Sequence, residues 1–108
     1  MDTKPSRIEF DYNGKHFCLQ YTRETVKMME AAGYNPSEAG SRPLIETEQL
    51  WAGAFLANHR KESQTVIKKM YDEMSKRDEL LDILRDMIAE TYMSLISDEG
   101  NVEWTATP

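Results

Sequence analysis

A single cysteine, Cys18, and two histidines, His16 and His59, are the only thiol and imidazole metal ligands in this 108-residue chain. One thiol closes no internal disulfide, so no covalent staple is expected and a reducing cytoplasm suits the protein. A metal centre takes three or four ligands at short spacings, which two distant histidines and one cysteine do not supply. No apolar stretch approaches the roughly 20 residues that cross a bilayer. The opening MDTKPSRIEF lacks the apolar run of a signal peptide, and no membrane association is expected. Basic residues are outnumbered 13 to 19, a formal charge of -6, which argues against nucleic acid as a partner because phosphate binding needs a cationic face. Also missing are a phosphate loop, a GxGxxG and an HExxH. What remains, 40% hydrophobic and 30% charged residues, is the composition of one globular domain.

The first element is RIEFDY-NG-KHFCLQY, two alternating segments joined by Asn13-Gly14, a dipeptide suited to the positive backbone angles of a type I′ turn. With those two residues as the loop, Tyr12 faces Lys15, Phe10 faces Phe17 and Ile8 faces Leu19. Glu9, Asp11, His16, Cys18 and Gln20 then share the opposite, solvated face. Two strands alone are marginal, so helices must cover the apolar side. Thr22 is the expected N-cap of RETVKMMEAA, with Gly33 as a left-handed stop and Tyr34 folding back. Pro43 opens a second helix expected to run through LIETEQLWAGAFLANH, in which LWAGAFLA reads as buried all round.

Ser63 caps a third helix carrying Val66, Ile67, Met70, Tyr71 and Met74 at helical spacing. The phase breaks near Ser75–Asp78, and a fourth helix aligns Leu80, Leu81, Leu84, Met87, Ile88, Tyr92 and Leu95, with Met93 and Ile96 off that stripe and Gly100 as the expected end. The result is a helix-dominated α+β class, a two-stranded hairpin packed on a bundle of about four helices. One globular domain is expected over residues 1–97, with the hairpin at about 7–21, the helices at about 23–97 and an acidic tail over 98–108.

Catalysis should leave a constellation of titratable groups, and none is evident. His16 and Cys18 lie two apart on a solvated strand face, which makes no protected pocket. His59 is expected at the end of the second helix, where an imidazolium suits the negative dipole end. Asp72, Glu73, Asp78, Glu79, Asp82, Asp86 and Glu90 alternate with lysine and arginine, the pattern of solvated, ion-paired helix faces rather than of a cation site. No catalytic residue, cofactor or metal is expected.

Methionine is plentiful: seven residues, six of them inside the expected helices. Such side chains fill small cores, and Met29, Met70, Met74 and Met87 suit that role, but they also fit irregular partner surfaces. Met93 and Ile96, off the apolar stripe, and Trp104, in a tail with three acidic and no basic residues among its last eleven positions, suit contacts with another chain. The expected binding face is the third and fourth helices, with Met70, Tyr71, Met74, Met93, Ile96 and Trp104 as candidate contacts.

Taken in order, the Asn-Gly hairpin, FCLQYTRETVKMMEAAGYNPSE, RPLIETEQLWAGAFLANHRK, the YDEM helix and the closing DEGNVEW resemble the small tail assembly chaperones of long-tailed bacteriophages, in particular compact forms from phages and prophages of Gram-positive hosts. The likeness runs from about Ile8 to Trp104 and rests on apolar and turn patterns, not on a catalytic signature. It implies a non-enzymatic protein that binds the tape measure protein in the host cytoplasm, keeps it soluble, helps recruit the tail tube protein and is absent from the mature virion. It also implies self-association into a homo-oligomer and, in some members, a longer frameshifted product. Two other readings stand beside it: an acidic regulator mimicking nucleic acid, which the interleaved bases disfavour, and a structural tail component retained in the virion.

Overall fold

Asn13 and Gly14 adopt φ of 50° and 81° in the computed structural model, which describes residues 6–97 and 100–108. These left-handed angles close the expected two-residue turn between β1 (Ile8–Tyr12) and β2 (Lys15–Leu19). The antiparallel register is the one the alternation demands, Ile8 opposite Leu19, Phe10 opposite Phe17 and Tyr12 opposite Lys15. Phe17 and Leu19 are buried, while Glu9, Asp11 and His16 on the other face are exposed. Residues 1–5 and 98–99, which belong to the expected domain and tail, lie outside the described residues.

The first helix, α1 (Arg23–Ala31), begins with a capping box. The Thr22 side chain accepts from the Thr25 amide, and the Thr25 hydroxyl accepts from the Thr22 amide. It ends in a Schellman motif: Gly33, at φ 109°, donates to Glu30 O, and Tyr34 N–H reaches back to Met29 O at 2.9 Å. A short 3-10 turn, Ala39–Ser41, then leads into α2 (Pro43–Ala54), with Pro43 in the first turn as expected. Next come α3 (Gln64–Glu73), whose Ser63 cap accepts from Val66 N–H, and α4 (Arg77–Met93). Lys76, at φ 50°, makes the sharp reversal between these two.

The core gathers around α2, which packs on α1, α3 and α4 in turn. Leu50, Trp51, Ala54 and Phe55 meet Phe17 and Leu19 of the hairpin, Val26 and Met29 of α1, Ile67 and Met70 of α3, and Leu80, Leu84, Met87 and Ile88 of α4. Gly53 lets α1 cross closely: a Cβ there would force the Met29 side chain to shift. Buried Glu46 is neutralised by Arg85 Nη2 at 2.7 Å, a pair that ties α2 to α4.

Two helix ends fall earlier than expected. α2 stops at Ala54, and Phe55–Asn58 forms turns, because the next turn is drawn to the hairpin: Gln20 N–H donates to Ala54 O at 3.1 Å, and Asn58 Nδ2 donates to Cys18 O at 3.1 Å. α4 stops at Met93 rather than near Gly100. There Ser94 Oγ bonds Thr91 O, and the Arg23 guanidinium takes both the Ser94 hydroxyl and its carbonyl. A carbonyl held by Arg23 is diverted from a further helical turn, and Leu95, expected on the apolar stripe, is left exposed.

Candidate functional site

Helical spacing sets Leu44, Thr47, Glu48, Trp51 and Ala52 on one side of α2. α3 runs beside them, and a groove of about 700 Å³ opens between the two helices, completed by Gln64, Ile67, Lys68, Tyr71 and Asp72. Its apolar part is rigidly built. The buried Trp51 indole donates Nε1–H to Ile67 O at 2.7 Å, and the Tyr71 ring meets the indole edge-on with centroids 5.5 Å apart. The Arg77 guanidinium lies 5.8 Å from the Tyr71 centroid. Leu44 is 84% exposed, and Glu48, Lys68 and Asp72 supply exposed charges around the apolar strip. Across α2 a second depression of about 350 Å³ brings Met28, Met29, Ala32 and Leu56 together and shares Glu48, Ala52 and Gln64 with the first. The open side of α2 is therefore flanked by apolar concavities.

A second apolar cluster closes α4. Met93, Leu95 and Ile96 are all exposed, as are Val102 and Trp104 beyond them. The expected contacts thus separate into groups. Tyr71 lines the groove, and Met74, half-buried, is the C-cap of α3 just beyond it. Met93 is the last residue of α4, Ile96 lies in the turn that follows it, and Trp104 is in the tail. Met70 is corrected: at 0% exposure it fills the core between α2 and α3 and presents nothing to a partner. The groove also pairs α3 with α2, and no α4 residue lines it. Leu44 and Ile45, both exposed, were missed because α2 reads as a buried helix; the Leu44/Trp51 spacing of seven, with polar Thr47 and Glu48 between, is the signal that marks an open stripe.

Several titratable groups are held in structural contacts. On the hairpin's solvated face His16 Nδ1 lies 2.7 Å from Asp11 and Nε2 3.3 Å from Glu9, and these hydrogen bonds, Asp11 foremost, push its pKa up. Cys18 is half-buried, and its thiol points to Gln20 Oε1 at 3.7 Å rather than to His16. His59 does not cap a helix as an imidazolium. Its Nε2 accepts the Cys18 amide at 3.0 Å, and burial, then the Lys15 charge, lowers its pKa, so the neutral ring pins hairpin to loop. The Tyr92 hydroxyl donates to Glu30 at 2.8 Å; burial first, and that hydrogen bond second, raises its pKa. Among the described residues no group of three or more His, Cys, Asp or Glu side chains could hold a metal ion. No helix formed by them is long and apolar enough to cross a membrane.

Compared with known proteins, residues 3–107 match the family model described as Domain of unknown function (DUF5055). No curated protein and no solved structure matches the chain.

Proposed function

We propose that this chain, which belongs to the DUF5055 family, is a non-enzymatic tail assembly chaperone of a long-tailed bacteriophage. It binds the tape measure protein in the host cytoplasm, helps recruit tail tube subunits, and leaves before the virion is complete. The observation that carries this reading is the α2–α3 groove, floored by buried Trp51 and Ile67, lined by exposed Leu44 and half-buried Ala52 and Tyr71, and edged by charges. Such a groove suits the apolar face of an amphipathic helix.

The energetics favour a reversible complex. Each 100 Å² of apolar surface covered returns about 2.5 kcal/mol gross at roughly 25 cal/mol per Å². Association costs about 4–15 kcal/mol, so the net affinity is modest. A chaperone that must let go needs that balance. The exposed Met93, Leu95 and Ile96 offer a second apolar contact, and the net charge of -6 helps keep a complex in solution.

Co-expression with the tape measure protein tests the reading. The partner's soluble yield should rise and the two should co-purify, while Leu44→Ser with Tyr71→Ser should weaken capture. Unchanged yield with no co-purification overturns it. Mass spectrometry of purified particles separates a chaperone, absent from the virion, from a structural tail component, present in it.

A further inference from the structure

Against an acidic background, residues Asn58–Glu62 and Lys15 at the start of β2 gather positive charge around a concavity of about 470 Å³ whose wall includes Leu56 and Ala57. Lys15 Nζ lies 2.9 Å from Glu62 and is largely neutralised. Arg60 and Lys61 are not. Arg60 Nε donates to Leu56 O at 3.3 Å, which fixes the guanidinium beside the concavity, and among the described residues neither Arg60 nor Lys61 forms an ion pair.

The complementary charge lies at the other end of the chain. The last eleven residues hold three acids and no base. From Gly100 to Pro108 every residue is exposed, including Val102 at 88% and Trp104 at 81%, so this stretch is not packed on its own body. We infer that the concavity is the docking site for the C-terminal segment of a second copy of the chain, Glu103 meeting Arg60 and Lys61 and Trp104 lying against Leu56 and Ala57. Carboxylate and cations pair at a solvent-exposed rim, and the indole gains apolar cover that it lacks in the single chain. Pocket and tail are different surfaces, so the contact is head-to-tail: it closes into a ring or runs on as an open chain. It is independent of what the apolar groove binds.

Sedimentation velocity on the full chain over a concentration series is the test. The average mass should rise with concentration and fall as salt screens the ion pairs. Arg60→Glu with Lys61→Glu, and separately Glu103→Gln with Trp104→Ala, should each weaken self-association on the order of tenfold, the size expected when rim pairs are lost or turn repulsive, with thermal melting unchanged. Mixing the two variants should yield a one-to-one complex that grows no further, because only one intact pocket and one intact tail remain. The inference is overturned by a monomer at every concentration, by variants that assemble like the parent, or by cross-links joining Lys61 to the tail within a single chain.

Discussion

Leu84 and Leu95 lie eleven residues apart on one apolar stripe, yet Leu84 is 0% exposed and Leu95 is 60% exposed. As far as Ile88 the stripe of α4 is buried against its neighbours; past the end of the helix at Met93, Leu95 carries the same chemistry into water. Hydrophobicity is equal on both sides of the break. What differs is whether a neighbouring element exists to receive the side chain, and α1 begins at Arg23, whose guanidinium ends the helix by seizing Ser94. Apolar residues inside the break are spent on stability, and those outside it are free for another molecule.

The largest expected effect tests this contrast with one change made on either side. Leu84→Ala should lower unfolding stability by about 2–5 kcal/mol, the cost of a core cavity, while Leu95→Ala should stay within about 0.5 kcal/mol. Urea denaturation of both variants decides it, and a comparable loss at Leu95 would place that residue in the core. A smaller effect comes from the hairpin, where the two histidines face different surroundings. His59, with Lys15, Glu62, His16 and the Cys18 amide around it, has a folded pKa below the ordinary 6.5. The unfolded chain therefore takes up the proton first, and this residue's contribution is present above pH 6.5 and lost as pH falls through the folded pKa. His16, whose folded pKa lies above 6.5, acts in the opposite sense: its contribution is present below 6.5 and lost as pH rises through the folded value. Denaturation midpoints across pH 5 to 8 should lose part of their acid sensitivity in His59→Gln; an unchanged profile would show that the ring is not held neutral. The smallest expected change is in Met93→Asn with Ile96→Asn, which should leave the melting temperature unmoved while weakening tape measure binding or self-association. A fall in melting temperature would instead assign both residues to the core.

Much of the fold was legible because its signals are local. Asn13-Gly14 demands a tight turn, and the alternation around it then leaves one register that puts Phe17 and Leu19 inward. Thr22, Gly33, Pro43 and Ser63 mark helix ends through their own backbone or hydroxyl chemistry, and each does so in the structure. The two misplaced ends share another cause. α2 is cut short by bonds to the hairpin, from Gln20 to Ala54 and from Asn58 to Cys18, and α4 by a bond to Arg23, all between residues more than thirty positions apart. No local pattern encodes them. The candidate site divides in the same way: exposure of Met93 and Ile96 followed from their departure from the apolar stripe and that of Trp104 from its place in the acidic tail, but the burial of Met70 and the opening beside Leu44 depend on which face of α2 meets α3.

Sequence alone determined where the backbone turns, which helices start where, and which residues seek shelter from water, since these follow from side-chain shape, capping groups and spacing. Tertiary structure decided who receives shelter. Only when four helices and a hairpin compete for the same few contacts does one leucine become core and the next remain open, because a small domain has too little surface to cover every apolar residue it carries.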